Sequence, residues 1–244
     1  MRLLVCLSTM LVCAKTLVAV ETTVATELKS EVSIRIDPDQ LQGKLHAKNL
    51  RVLDVRSRDQ YAQGHIPGAL RVDVGDWKNL ATAASGLYDA KGWTERVSPL
   101  GLTKEPQVVV YGSNLSSTAR IWWLLKYVGV KNVSILDGGW EWWMQKGRPT
   151  EKATPDITAT DFQPHFQAGR LAESAAIKRS LNSATVQLVD TRSSDEFRGG
   201  RIPGAAHLEW KELIADDGRF KTKLQLQQLF RDRGILPAET AVCY

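Results

Sequence analysis

Cysteine is nearly missing from this chain: three residues in 244, Cys6, Cys13 and Cys243, the first two inside an apolar N-terminal stretch. No disulfide framework can be built from so few, so the core has to come from ordinary packing. Histidine is as scarce, with four residues. No cluster of His, Cys and acids has metal-ligand spacing, so no metal site is expected. Long apolar runs are also lacking, because Lys15 interrupts the N-terminal one before it reaches the roughly 20 residues that span a bilayer. No charge of one sign dominates: 32 Lys plus Arg stand against 27 Asp plus Glu, interleaved along the chain, for a net +5. A nucleic-acid binder would need its basic residues clustered, so that class is excluded. Glycine (18) and proline (9) sit near average usage, which excludes collagen-like and low-complexity chains.

What is present, 43% hydrophobic and 24% charged side chains, describes a globular chain of two small domains or one large one. Residues 1–20 read as an export leader. Arg2 precedes an apolar run broken only by Ser8 and Thr9, and Val12, Cys13 and Ala14 suit a signal-peptidase site. The expected location is therefore periplasmic or otherwise extracytoplasmic.

The most informative feature is a repeat. Residues 54–69 read DVRSRDQYAQGHIPGA and residues 190–205 read DTRSSDEFRGGRIPGA. Such wide spacing indicates a duplicated domain, since solenoid repeats are far shorter. Around each copy lie β-rich apolar runs, at residues 49–55, 107–111 and 133–136 in the first half and 186–191 and 240–244 in the second. Helical patterns fall at 118–127 and 140–145, and an imperfect stripe of Leu224, Leu226, Leu229 and Phe230 ends at Gly234. Alternating strands and helices predict an α/β fold, a parallel sheet with helices on both faces in each domain. The domains are expected at 33–150 and 157–244, with the Pro-, Thr- and charge-rich residues 147–156 as linker.

The doubled motif, together with LDGGW at residues 136–140, resembles the rhodanese family of sulfurtransferases in its tandem form, over about residue 33 to Tyr244. The resemblance implies that only the second domain carries a catalytic cysteine, directly after a strand that ends in tyrosine. Its thiolate takes the outer sulfur of a small anionic donor, thiosulfate or mercaptopyruvate, as a persulfide and passes it to a thiophilic acceptor such as cyanide, with no cofactor and no metal. Physical chemistry accounts for the loop: backbone N–H groups curled at a helix N-terminus stabilise an anion and lower a thiol's pKa.

Carried over by position, the residue after Tyr111 is Gly112, so the first domain resembles the cysteine-less partner. Ser113, Asn114, Ser116 and Ser117 with Arg120 form either a leftover anion pocket or a plain turn with Ser117 as helix cap. In the second domain the nucleophile is expected immediately after Tyr244, and relative to the first domain roughly 35–40 residues would follow there. Cys243 falls one step inside the strand and is expected to be buried and inert. Asp190, Arg192 and Tyr244 are expected to support the active loop, as Asp54 and Arg56 do in the first copy. Where the family places a donor-binding arginine before the aromatic of the motif, this chain has Glu196, which leaves Arg198 and Arg201 as candidates for the anion. His65 and His207 accompany the two motifs. Trp122, Trp123, Trp140, Trp142 and Trp143 are expected in core and interface packing. Two other readings stay open, a non-catalytic binding or regulatory module and an inactive truncated product.

Overall fold

Val108, Val109, Val110 and Tyr111 are the kind of residues that favour extended backbone, and all four are fully buried at the centre of a sheet. The computed structural model describes residues 33–102, 105–181, 183, 185–237 and 239–244; the leader-like residues 1–20 lie outside them. The first half runs β1 (Arg35–Ile36), α1 (Pro38–Gln42), β2 (Leu50–Asp54), α2 (Arg58–Gln63), β3 (Ala69–Arg71), α3 (Val74–Thr82), α4 (Ala90–Val97), β4 (Gln107–Tyr111), α5 (Leu115–Tyr127), β5 (Asn132–Leu136) and α6 (Gly139–Gln145). The second half adds α7 (Ser174–Ser180), β6 (Val186–Asp190), α8 (Ser194–Gly199), β7 (Ala206–His207), α9 (Lys223–Asp232) and β8 (Thr240–Cys243). Arg35–Tyr244 forms one compact unit.

The first sheet is parallel with strand order β1-β5-β4-β2-β3. Period-two alternation sends its side chains to two cores, as a sheet covered on both faces requires. Leu53, Val108, Val110 and Val133 pack with Trp77 of α3, Trp93 of α4 and Ile121, Leu124 and Leu125 of α5. Leu50, Val52, Val109 and Leu136 pack on the other face with Leu41 of α1 and Trp143 of α6. The chain leaves β2 towards β3 on one side and returns through β4 on the other. That reversal opens a crevice at the carboxyl ends of β2 and β4, where open α/β sheets bind ligands.

The second sheet repeats the central part in the order β7-β6-β8, again parallel. Its register matches: Cys243 pairs with Val189 as Val110 pairs with Leu53. Burial does not match. Leu188, Val189 and Leu208 are the buried apolar residues of this half among those described. Contrary to expectation, Cys243 is exposed, because β8 lacks, among the described residues, the cover that α5 gives β4. Leu224, placed on an apolar stripe from its spacing, is 78% exposed at the start of α9.

Residues 147–156 are more than a tether. The segment pairs with the first half through an antiparallel bridge between His65 and Glu151. The coil beyond it donates from Thr160 N to Ser98 O at 3.0 Å, from His165 N to Val128 O at 2.8 Å and from Gln167 N to Tyr127 O at 2.8 Å. Phe162 and Phe166 pack against the α3–α5 core. No helix among the described residues is long and apolar enough to cross a membrane.

Candidate functional site

Parallel pairing of β2 with β4 sets Asp54 directly beside Tyr111 at the carboxyl edge. Tyr111 donates its hydroxyl to Asp54 Oδ2 at 2.6 Å and accepts from Ile66 N at 3.0 Å. Arg56 donates to both Asp54 oxygens, at 2.5 and 3.0 Å, and to Gly64 O at 2.7 Å. The carboxylate therefore ties the strand end to the following turn, and Ser57 caps α2 with Gln60 completing a capping box. Burial, with the Asp54 carboxylate beside it, pushes the Tyr111 hydroxyl far above its ordinary value, so it remains a proton donor.

The second half rebuilds this cluster from the second motif. Arg192 donates to Asp190 at 2.6 and 3.0 Å and to Gly200 O at 2.8 Å, and Tyr244 Oη accepts from Ile202 N at 2.9 Å. The hydrogen bonds of Arg192 are the main reason that the Asp190 carboxyl is held at about 2. Asp190, Arg192 and Tyr244 thus meet as the sequence suggested. One difference separates the copies: the Arg56 side chain is 3% exposed, whereas that of Arg192 is 36% exposed. Trp140 of the LDGGW turn accounts for the contrast, lying 3.7 Å from the Arg56 guanidinium across its ring face.

The loop after Tyr111 is a turn capped by Asn114, one turn earlier than the Ser117 cap read from the sequence. Asn114 Oδ1 accepts from Ser117 N at 3.1 Å and from Ser116 Oγ at 2.8 Å. The side chain that reaches back to the orphan N–H groups is simply the one preceding α5. Gly112 is tightly enclosed: a Cβ there would lie 2.6 Å from Val55 Cγ2 and 3.0 Å from Thr118 Oγ1. Gly139, at φ +58°, closes the other side, since its Cβ would fall 2.4 Å from Gly112 O. Gly112 and Ser113 edge a cavity of about 290 Å³ whose wall includes Glu141, Trp142 and Asp217. Two carboxylates there disfavour an anion, and Arg120, exposed on α5, is not part of that wall.

Arg198 is largely exposed and pairs with Asp195 on the outside of α8. Arg201 lies closer to the cluster: its guanidinium covers the Phe197 ring at 4.5 Å, Phe197 stacks on His207 at 4.4 Å, and His207 Nε2 sits 3.0 Å from Arg192 O. Glu196 is engaged as the capping-box partner of Ser193, whose hydrogen bonds lower its pKa. His65 is buried against Tyr61 at 3.9 Å, with ring nitrogens facing Tyr61 O and Ala153 O. The surrounding protein pushes the Cys243 thiol up from its ordinary value although the residue is exposed. The sequence reading missed the hold of Asp137 on Phe220 N and the part of Trp140 in covering Arg56; the LDGGW run was the signal in the sequence, and the contacts it makes are set by the fold.

Comparison with known proteins accords with this geometry. The profile of the Rhodanese-like domain family matches residues 37–146 and 173–244. A thiosulfate sulfurtransferase of Corynebacterium glutamicum is 28% identical over 228 residues, 84% of this chain and 74% of the relative. A thiosulfate sulfurtransferase of Cricetulus griseus is 26% identical, covering 76% of this chain and 71% of the relative. The 3-mercaptopyruvate sulfurtransferase of Escherichia coli K12 is 28% identical over 72% of this chain and 67% of its own length. The crystal structure of the Escherichia coli 3-mercaptopyruvate sulfotransferase SseA superposes with a TM-score of 0.76 at 24% identity, covering 87% of this chain and 88% of that one.

Proposed function

Because the chain belongs to the rhodanese-like domain family, we propose that it is a tandem sulfurtransferase that moves a sulfane sulfur from thiosulfate or mercaptopyruvate to a thiophilic acceptor. The observation that carries this reading is the doubled Asp-Arg-Tyr cluster at the carboxyl edge of both sheets, in a chain whose relatives bear those two activities.

In this reading the nucleophilic cysteine occupies the position after Tyr244, the counterpart of Gly112. A thiolate there attacks the outer sulfur of thiosulfate; the S–S bond of the donor breaks, sulfite leaves with the electron pair, and a cysteine persulfide remains. Cyanide then takes the terminal sulfur as thiocyanate and restores the thiolate. Asp190, Arg192 and Tyr244 fix the strand end from which the loop departs. Arg201, whose guanidinium covers the Phe197 ring beside the cluster, supplies positive charge for the donor's anionic group. The first half, whose corresponding loop is closed around Gly112, is the non-catalytic partner. Residues 1–20 act as an export leader, which N-terminal sequencing of the protein from fractionated cells tests.

The deciding assay uses thiosulfate and cyanide. The 244-residue chain is expected to form no thiocyanate, and the chain continued beyond Tyr244 with a Cys-x-x-Gly-x-Arg loop and its helix is expected to turn over. Thiocyanate formation by the 244-residue chain alone would place the nucleophile at Cys243 and overturn the assignment.

A further inference from the structure

The carboxyl edge of the first sheet is the ligand end of an α/β fold, yet its loop has no cysteine and its own contribution to the cavity wall includes the carboxylate of Glu141. Something else occupies that edge. Residues 214–220 of the second half form a short hairpin, closed by an antiparallel bridge between Ile214 and Phe220 and by Ala215 N donating to Arg219 O at 2.8 Å. Its returning strand meets the end of β5. Asp137 Oδ1 accepts from Phe220 N at 2.9 Å, while Asp137 Oδ2 stands 3.6 Å from Arg35 Nη1. Arg35 donates in turn to Phe220 O at 3.4 Å and Lys221 O at 3.2 Å. The Arg35–Asp137 pair therefore grips both the N–H and the C=O of residue 220. A second contact lies beside it: the Arg219 guanidinium covers the Trp142 ring at 4.7 Å.

We infer that the ligand edge of the first half is a docking socket whose occupant is this hairpin, with Asp137 as the group that holds it. Asp137 is 8% exposed, so its charge is compensated by the Arg35 guanidinium and the Phe220 N–H together rather than by water. A buried carboxylate aimed at a backbone N–H recognises the shape of the hairpin, independent of the residue at position 220. The hairpin also begins at the other site. Leu208 N donates to Asp190 O at 3.0 Å and Trp210 N donates to Thr191 O at 3.1 Å. Residues 208–221 therefore run from the Asp190–Arg192 edge of one sheet to the Asp137 edge of the other, and the socket seats the second half through the segment that leaves its own cluster. This goes beyond the proposed sulfur transfer and does not depend on it.

Hydrogen–deuterium exchange of the 244-residue chain tests the inference with no activity required. Asp137→Ala is expected to speed exchange across residues 214–221 by about tenfold or more while β2 and β4 keep wild-type protection. Asp137→Asn, which keeps an acceptor for Phe220 N but loses the charge facing Arg35, is expected to fall between. Arg35→Met removes both carbonyl contacts from a more exposed position and gives a second reading should Asp137→Ala not fold; it too is expected to loosen 214–221 selectively. Unchanged exchange at 214–221 in the variants, or acceleration spread evenly over both sheets, overturns the socket.

Discussion

The two copies of the Asp-Arg-Tyr cluster form a pair, and Tyr→Phe in each compares a buried hydroxyl with two partners against a half-buried one that accepts a backbone N–H. Tyr111→Phe removes only an oxygen from a residue that is fully buried. Asp54 loses a 2.6 Å donor and Ile66 N loses its 3.0 Å acceptor. A hydrogen bond to a charged group contributes about 1.5–3 kcal/mol, and an orphaned buried donor costs about 1–3 kcal/mol. Because the two losses share one hydroxyl, a combined cost of about 3 kcal/mol is expected. With a urea slope of about 3 kcal/mol/M the midpoint falls by about 1 M. Tryptophan fluorescence follows the transition, since all but Trp210 of the eight tryptophans belong to the first half. Tyr244→Phe removes the same hydroxyl from a half-buried site, where water replaces the lost partner of Ile202 N, and about 1 kcal/mol or less is expected. Circular dichroism follows the whole chain in both variants. A Tyr111→Phe shift below about 0.3 M, or one no larger than that of Tyr244→Phe, refutes the reasoning that burial sets the value of the cluster.

Gly112→Cys places a Cβ 2.6 Å from Val55 Cγ2; it is expected to cost about 1–3 kcal/mol by overpacking, lowering the thermal midpoint without producing thiocyanate from thiosulfate and cyanide. The Asp190 carboxyl, held at about 2 chiefly by Arg192, has a folded pKa below its unfolded value. The stability it lends is complete above about pH 4 and is lost as pH falls through about 2; screening at the half-exposed Arg192 limits it to about 1 kcal/mol. Urea midpoints at pH 5 and pH 2.5 check this, and Asp190→Asn should remove that share of the acid loss. Since its surroundings raise the thiol pKa, Cys243 should react with a thiolate-selective disulfide reagent at pH 7 more slowly than an unhindered cysteine peptide, despite its exposure. Equal rates contradict the desolvation.

Local signals were legible in the sequence where they were strong and repeated. The strand at Gln107–Tyr111 has three β-branched valines at its centre, and its expected span coincides with β4. Both motif copies form a strand, a capping box at Ser57 or Ser193 and a short helix, as their identical spacing requires. Helix starts were less exact because Asn114, Ser116 and Ser117 all suit a cap, and only the fold shows which one faces the free N–H groups. Contacts between distant segments left no periodic trace. The coil at residues 151–167 has neither helical nor strand patterning, and its bonds to His65, Ser98, Tyr127 and Val128 depend on where the folded half offers free backbone groups. The exposure of Cys243 escaped for a related reason: strand register follows from local sequence, but burial depends on what covers the sheet. Asp137 was visible inside LDGGW, yet its partner lies 83 positions away in the chain.

The duplication also separates support from chemistry. Asp54, Arg56 and Tyr111 share with Asp190, Arg192 and Tyr244 the arginine–carboxylate pair, the arginine bond to a glycine carbonyl and the tyrosine hydroxyl accepting a backbone N–H, although the loop that follows the first set is sealed around Gly112 and contains no cysteine. A cluster that keeps its geometry where no reaction can occur is explained by what it does in both places: it neutralises a carboxylate at 0% exposure, turns the chain out of the strand and anchors the turn at Gly64 or Gly200. What differs is the outer face of the arginine. Trp140 lies over Arg56 and converts that edge into packing surface, whereas Arg192 keeps a third of its side chain open to solvent. Support is therefore a property of the cluster itself, present whether or not a nucleophile follows. The Asp-Arg-Tyr cluster is the mount on which either outcome is built.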